Sequence, residues 1–233
     1  MNYYKEIQSK VYEANLDLVK QGLVIYTFGN VSEIDRNLGV FAIKPSGVNY
    51  SDMKPEDIVV LDLDLNVVKG NLRPSSDTKT HAHLYKSFDD IGGVTHTHST
   101  YATAWAQAQK PIPCYGTTHA DYIYGEIPCT DVMSNKQIQG DYELETGHQI
   151  TDSLKDRSHR SCPMVLVAGH APFTWGKDAA ESVYHAVILE NLAKMAQLTC
   201  SIHSNQSPTP LKQELIEKHY QRKHGVDAYY GQQ

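Results

Sequence analysis

The stretch GGVTHTHST (residues 92–100) joins a partly apolar, extended segment to two histidines at alternate positions. Side chains alternate across a strand, so we expect His96 and His98 on one face and Thr95 and Thr97 on the other. Two imidazoles side by side suit a divalent metal ion. The pair alone leaves a structural role open, in which one ring bonds a backbone carbonyl and the other lies at the surface.

A third histidine favours a metal-binding role for this pair over a structural one. The apolar segment MVLVAGH (residues 164–170) predicts a short strand that ends in His170. Imidazoles at the ends of neighbouring strands can converge, and catalytic zinc sites use such a trio while one coordination position stays open. Asp77 is a fourth candidate ligand, although aspartate at a helix start is commonly an N-cap. His81 and His83 lie two positions apart on that helix and share no face, so we expect them to be structural.

The wider pattern predicts an α/β protein with a central sheet flanked by helices on both faces. Strands are predicted at 23–28, at 39–47 and in a hairpin over 58–70, with 29–39 as a connection. Helices are predicted at 3–21, 77–88 and 100–109, after Asp178, and at 211–224. The length of 233 residues fits a single domain over residues 1–233.

Composition limits the possible functions. The formal net charge is −6 at pH 7, and the one short basic cluster, KHYQRKH at 218–224, is too small for broad nucleic-acid binding. The four cysteines form no C-x-x-C pair, and no apolar run approaches the roughly 18 residues of a membrane span. We therefore expect a cytoplasmic protein with neither a nucleic-acid nor a membrane partner.

Three short loops offer small polar groups to an anion. In PSSD (residues 74–77) the free N–H groups of a predicted helix start favour a phosphate, and the serine hydroxyls add donors. GNVS (29–32) and KPSG (44–47) contain glycines that let a ligand approach the backbone. Each loop alone is an ordinary turn. Together with the histidine trio, the three loops indicate a ligand site.

Seven motifs, taken in order along the chain, carry a resemblance to a known family. They are GNVS, IKPSG, PSSDT, THTHS, GTTHADYIYG, VLVAGHAPFTWG and KHYQRKHGVDAYYGQ. The chain closely resembles the L-ribulose-5-phosphate 4-epimerases of the class II aldolase/adducin-head family from end to end. The resemblance implies one α/β/α domain with a largely antiparallel central sheet. It also implies a homotetramer whose active sites lie between subunits, so that the C-terminal tail completes a neighbour's site.

The resemblance also implies roles for individual residues. The zinc ligands become His96, His98 and His170, with Asp77 as an additional metal position. Asp121 and Tyr230 match the acid/base pair, with Tyr230 supplied by a neighbouring subunit, and His219 and Thr117 match supporting site residues. The substrate-binding residues become Gly29, Asn30, Lys44, Ser46, Gly47, Ser75 and Ser76. One departure is visible, since Ala168-Gly169 and Ala171 surround the third ligand where relatives carry His-Ser and Gly.

The expected chemistry is inversion at C4 of a pentose phosphate by cleavage of a carbon–carbon bond. In L-ribulose 5-phosphate the C4 proton is not adjacent to the carbonyl, so an enolate cannot assist its direct removal. Breaking C3–C4 leaves an enediolate, whose charge a bound zinc ion would stabilise, and an aldehyde phosphate. If the aldehyde turns over before the bond re-forms, C4 is inverted. Asp121 and Tyr230 would exchange protons on opposite faces.

Two alternatives remain open from the sequence. A sugar-phosphate aldolase of the same family would cleave the bond without inversion. Aldolases similar to fuculose-phosphate aldolase carry Glu at the position of Asp77, which favours the epimerase. A non-catalytic binding module like the adducin head would share the fold without the metal site, and the intact histidine trio argues against it. Manganese or cobalt could replace zinc, because imidazole sites accept several divalent metals.

Overall fold

A seven-stranded antiparallel sheet forms the centre of the computed structural model, which describes residues 4–203 and 207–230. The spatial order of the strands is β4-β3-β2-β1-β5-β7-β6, and every neighbouring pair is antiparallel. The strands are β1 Asn30–Asp35, β2 Val40–Ile43, β3 Val59–Asp62, β4 Val67–Lys69, β5 Gly93–His96, β6 Met164–Leu166 and β7 Pro172–Gly176. The predicted fold class, with a largely antiparallel sheet between helices, is confirmed.

Helices cover both faces of this sheet. They are α1 Lys5–Lys20, α2 Thr78–Ser87, α3 Thr100–Gln107, α4 Thr117–Ala120, α5 Asn135–Gln139, α6 Tyr142–Asp152, α7 Ala179–Ile202 and α8 Gln213–His224. On β2, Val40 and Ala42 join the core cluster that contains residues of α1, whereas Phe41 and Ile43 join the cluster that contains residues of α2 and α6. This alternation is the two-residue period of a strand buried on both sides.

The close approach of α7 to the sheet explains the paired glycines of the opening motif. An ideal Cβ on Gly93 would lie 2.2 Å from the backbone oxygen of Asp178, the N-cap residue of α7. The side chain of Asp178 accepts a hydrogen bond from the N–H of Glu181 at 2.8 Å, as predicted for a helix start at this position. The start of α7 is thus fixed directly against β5.

The prediction for residues 23–39 was wrong. Residues 23–28 form a loop with a turn at 26–27 rather than a strand, and Tyr26 has a positive φ of 53°. The supposed connection contains β1, an interior strand between β2 and β5. Its buried polar residues have specific partners; for example, Ser32 bonds His81 and Glu33 accepts from the N–H of Ala179. A strand of this kind does not show the apolar alternation from which strands are predicted.

Two of the predicted metal ligands also lie outside the strands that were expected to hold them. β5 ends at His96, so His98 follows the strand, and β6 ends at Leu166, so His170 lies in the turn before β7. Gly169 has φ +73°, and the N–H of His170 bonds the oxygen of Val167 at 2.9 Å, which closes this turn. The helices α4, α5 and α6 were not predicted.

The other predicted elements agree with the structure to within a few residues. These are α1, α2, α3, α7, α8 and the β3–β4 hairpin. In the part of the chain that the structure describes, no helix combines the length and the apolar character needed to cross a bilayer.

Candidate functional site

Three imidazoles converge at one end of the sheet. The Nε2 atoms of His96 and His98 lie 3.2 Å apart, and the ring centre of His170 is 4.9 Å from that of His96 and 5.2 Å from that of His98. One nitrogen from each ring lies within 4.8 Å of the others. Among residues 4–203 and 207–230, this is the group of three or more potential ligands close enough to hold one metal ion.

The backbone around His96 fixes the orientation of its ring. Nδ1 lies 2.9 Å from the carbonyl oxygen of Pro172, and a carbonyl only accepts, so Nδ1 carries the proton and Nε2 presents a free lone pair. Phe173, the strand partner of His96, stacks on its ring at a centroid distance of 4.2 Å. A hydrogen bond from the second ring nitrogen to a carbonyl is the usual support of a metal-binding histidine.

The other two rings are neutral at physiological pH. Burial, followed by the neighbouring His96 and His98, lowers the pKa of His170 to about 4. Burial and the His96 ring also lower the pKa of His98. A histidine must be unprotonated to bind a metal ion, so these environments leave both rings ready for coordination.

Gly29 allows the chain to pass directly beside the first ligand. It has φ +82°, and an ideal Cβ would lie 2.9 Å from Cγ1 of Val24 and 3.0 Å from the backbone oxygen of His96. Any other residue at this position would be strained by the positive φ, and its Cβ would collide with Val24 and with the backbone of His96. The predicted loop residue Gly29 therefore packs directly against the backbone of the predicted ligand His96.

Asp77 lies beside the histidine trio and does not cap its helix. It occupies the N-cap position of α2, but its side chain makes no capping hydrogen bond. Oδ2 instead accepts from Nδ2 of Asn30 at 2.7 Å and lies 4.0 Å from Nε2 of His96. Burial raises the pKa of Asp77, but His96, His81 and the Asn30 hydrogen bond outweigh burial and hold that pKa below its usual value. The site thus holds a carboxylate next to the three imidazoles.

All seven predicted substrate-binding residues line one cavity together with the four predicted metal positions. The cavity has a volume of about 290 Å³ and also contacts Thr27, Phe28 and Pro45. A larger cleft of about 640 Å³ lies elsewhere and contains none of the predicted site residues. The residues that share the smaller cavity are Gly29, Asn30, Lys44, Ser46, Gly47, Ser75, Ser76, Asp77, His96, His98 and His170.

Backbone hydrogen bonds join the loops that form this cavity. The N–H of Ser46 donates to the oxygen of Arg73 at 2.9 Å, and the N–H of Ser75 donates to the oxygen of Lys44 at 3.0 Å. Nδ2 of Asn30 reaches Oγ of Ser75 at 3.1 Å. The three polar loops identified in the sequence are therefore held together as one structure in front of the histidines.

Lys44 is a buried cation in the wall of the cavity. Its side-chain nitrogen donates to the oxygen of Val48 at 2.9 Å and lies 4.7 Å from the ring centre of Tyr50. Burial lowers the pKa of Lys44 to about 8. The residue is 1% exposed, so its charge is poorly solvated and would gain from an anionic partner.

The predicted acid/base residues form a separate cluster. Asp121 follows α4 directly, and its Oδ1 lies 2.9 Å from Nδ1 of His219 on α8. Thr117 is the first residue of α4, and its oxygen accepts from the N–H of Asp121 at 2.9 Å. Tyr230 is half exposed at the end of the described chain. None of these four residues lines the cavity that contains the histidine trio.

A family model for the class II aldolase and adducin N-terminal domain matches residues 9–197. The chain belongs to this family. L-Ribulose-5-phosphate 4-epimerase UlaF of Salmonella paratyphi C (strain RKS4594) is 51% identical over 228 residues, which cover 98% of this chain and 99% of that protein. The protein of the same name from Salmonella typhi is 50% identical over the same length. These relatives confirm the resemblance carried by the motifs.

Solved structures give the same family at the level of the fold. An L-fuculose 1-phosphate aldolase superposes with a TM-score of 0.77 at 25% identity, over 93% of this chain and 95% of the other. An aldolase II superfamily protein from Pseudomonas syringae superposes with a TM-score of 0.76 at 13% identity, over 99% and 88% of the two chains. The second likeness is one of fold alone.

Two further residues contact the predicted groups and were not predicted from the sequence. The hydroxyl of Tyr142 lies 3.5 Å from Nδ1 of His170, at the open side of the trio. Arg222 binds both carboxylate oxygens of Asp121, at 3.1 and 2.8 Å. Tyr142 begins a helix that was not predicted, and no motif indicated its place beside His170. Arg222 stands three residues after His219, a helical spacing that places the two side chains on one face.

Proposed function

We propose that this protein interconverts L-ribulose 5-phosphate and D-xylulose 5-phosphate by reversible cleavage of the C3–C4 bond. The observation that carries the proposal is the single cavity in which three histidines and three anion-binding loops meet. The 51% identity to an L-ribulose-5-phosphate 4-epimerase over almost the whole chain supports the choice of reaction.

The proposed metal is Zn²⁺, held by His96, His98 and His170, with Asp77 as an additional position. The donor set fits the ion, because the protonated Nδ1 of His96 leaves Nε2 free and the other two rings are neutral. A bound divalent ion would act as a Lewis acid toward the substrate oxygens on which negative charge develops. Manganese or cobalt would suit the same nitrogens, so the identity of the metal rests on analysis of the purified protein.

The phosphate of the substrate would bind at the polar loops. Ser75 and Ser76 lie just before α2, a ten-residue helix whose first N–H groups favour an anion. Ser46 and Gly47 face the same cavity from the second loop, and Lys44 supplies the nearby positive charge. Anchoring the phosphate there would keep the aldehyde fragment in the cavity while it turns, which favours bond re-formation over escape.

Proton transfer would be the task of Asp121 and Tyr230, with His219 and Thr117 in support. Inversion at C4 needs a proton acceptor on one face and a donor on the other. Because none of the four residues lines the cavity of its own chain, we propose that they act in the cavity of a neighbouring subunit. Asp121 and Tyr230 both contact Arg222, so one subunit would supply both groups. A homotetramer with sites between subunits is the proposed assembly.

The second candidate function is that of a sugar-phosphate aldolase. The superposition on an L-fuculose 1-phosphate aldolase favours this second candidate at the level of the fold, whereas Asp77 in place of Glu favours the epimerase. The test is incubation of the purified protein with L-ribulose 5-phosphate. Formation of D-xylulose 5-phosphate supports the proposal. Release of dihydroxyacetone and glycolaldehyde phosphate without D-xylulose 5-phosphate would support the aldolase.

A non-catalytic binding module is separated from both enzymes by metal analysis. We expect about one divalent ion per subunit and loss of turnover on treatment with a chelator. Absence of any bound ion, with no gain in turnover when one is added, would support the binding module. The four cysteines are free thiols in the structure, and this supports the proposed location in the reducing cytoplasm.

A further inference from the structure

Both oxygens of the Asp121 carboxylate are held by α8. Nδ1 of His219 lies 2.9 Å from Oδ1, Nε of Arg222 lies 3.1 Å from Oδ1, and Nη2 of Arg222 lies 2.8 Å from Oδ2. The Arg222 contact is a two-point guanidinium–carboxylate pair, which fixes orientation as well as distance. The side chains of Asp121 and Arg222 are only 14% and 24% exposed, so solvent competes weakly for these bonds.

The same arginine also holds Tyr230. The guanidinium carbon lies 4.7 Å from the centre of the Tyr230 ring, within the range of a cation–π contact. The backbone oxygen of Arg222 accepts the N–H groups of Tyr229 and Tyr230 at 3.0 and 3.1 Å. The ring of Tyr230 is 54% exposed, so these contacts, rather than burial, determine where its hydroxyl lies.

We propose that Arg222 is a positioning residue that fixes Asp121 and Tyr230 relative to one another, so that the acid/base pair reaches the substrate as one rigid unit. The inference rests on the proposed function, which assigns proton transfer to these two residues. Arg222 itself exchanges no proton, because a guanidinium stays protonated in proteins. A lysine could supply the charge but could not hold two oxygens and stack on a ring at once.

The charge of Arg222 also controls the protonation of Asp121. Burial raises the pKa of this carboxyl, but the hydrogen bonds and charges of Arg222 and His219 outweigh burial and hold the pKa below its usual value. The other groups that face this residue are His224, which contacts its backbone oxygen, and the adjacent Tyr122. Removing the guanidinium leaves His219 as the remaining side-chain hydrogen-bond partner of the carboxylate, so the pKa of Asp121 rises.

The experiment compares Arg222→Gln and Arg222→Lys with the exposed control Lys218→Gln on the same helix, in L-ribulose 5-phosphate turnover. For Arg222→Gln we expect kcat to fall about 10- to 100-fold, because a small displacement of reacting groups costs this much. We expect KM and bound metal within about twofold of wild type, because Arg222 is not among the residues proposed to hold the metal or the phosphate. The acidic limb of the kcat–pH profile should move to higher pH, a change that a purely structural role would not produce.

For Arg222→Lys we expect a smaller shift of the acidic limb than for Arg222→Gln, because the positive charge remains. We expect kcat to fall about tenfold, because lysine cannot form the two-point contact with the carboxylate. Asp121→Asn combined with Arg222→Gln should lose less than the product of the single losses, because the arginine acts through the carboxylate. Wild-type kcat and an unmoved acidic limb in Arg222→Gln would overturn the proposal. If Arg222→Gln fails to fold, wild-type kcat together with an unmoved acidic limb in Arg222→Lys would overturn the proposal. A wild-type protein that cannot epimerise would overturn the proposed function instead.

Discussion

Nδ1 of His96 donates to the carbonyl oxygen of Pro172 at 2.9 Å, across the pair formed by β5 and β7. This bond determines which nitrogen of the ring is free, and Nε2 of His96 consequently faces Nε2 of His98 at 3.2 Å. At this distance an Nε2–H of His98 can donate to the lone pair of His96, and a bound metal ion would take the place of that proton. The strand pairing thus turns Nε2 of His96 toward the position proposed for the metal ion.

Replacing one imidazole should remove the ion and leave the fold. For His98→Asn we expect bound metal to fall to a small fraction of one per subunit and kcat to fall at least about 100-fold. His98 lies beyond the end of β5, so the circular dichroism spectrum should not change. Elemental analysis and turnover measure the effect, with the exposed His203→Asn as the matched control. Full turnover in His98→Asn would contradict the site as described.

The buried cation of the cavity gives substrate binding a pH dependence. The pKa of Lys44 is lowered to about 8, so its charge is present below this pH and is lost above it. We expect KM for L-ribulose 5-phosphate to rise as the pH increases through 8. Lys44→Met should raise KM about 10- to 100-fold at neutral pH, as expected for loss of a hydrogen bond to a charged group, and should remove the rise.

The control for this measurement is Lys69→Met, which removes an exposed cation from the edge strand β4. It should keep both the KM and its pH dependence. A Lys44→Met enzyme with an unaltered KM at neutral pH would show that the substrate phosphate does not use this charge.

The hydroxyl of Tyr230 should matter for proton transfer and not for the metal. Tyr230→Phe keeps the ring that stacks on Arg222, so the position of the tail is retained. We expect kcat to fall about 100-fold or more, the usual contribution of one acid/base group, while bound metal stays constant. The exposed neighbour Tyr229→Phe is the control. A wild-type rate in Tyr230→Phe would exclude its proposed role.

A methyl group on Gly29 should disturb both the fold and the site. Gly29→Ala would place a Cβ 2.9 Å from Val24 and 3.0 Å from the oxygen of His96, at a φ of +82°. We expect a loss of about 2 to 4 kcal/mol in the free energy of unfolding and weaker metal binding. Gly39→Ala is matched, since it also has a positive φ but meets no atom within 4 Å, and it should cost about 1 kcal/mol. Urea unfolding measures both. Equal losses in the two variants would contradict the steric explanation.

The β3–β4 hairpin and five of the helices could be predicted because their patterns follow from local geometry; the five are α1, α2, α3, α7 and α8. The first interior strand could not, because its inward residues include Asn30, Ser32 and Glu33, which are buried by virtue of partners far along the chain. Nothing within residues 30–35 identifies those partners. Residues 23–28 carry more apolar side chains and therefore match the pattern of a buried strand better than residues 30–35 do. In the structure, however, Tyr26 lies in a turn and is 85% exposed.

The site was predictable to the extent that its residues form motifs. The histidines and the three loops were identified, and the structure brings them into one cavity. What the sequence could not supply is the separation of Asp121 from that cavity, or the arginine that joins Asp121 to Tyr230. Both depend on how α8 packs against α4, which is a tertiary contact between segments about a hundred residues apart.

Every residue that lines the cavity occurs between Thr27 and His170, whereas the groups bound to Arg222 depend on the last helix. Under the proposed function, a change confined to that helix would therefore alter proton transfer and leave the binding of the sugar phosphate unchanged. In a family that contains both aldolases and epimerases, such a division would allow the stereochemical outcome to change while the substrate-recognition surface is inherited.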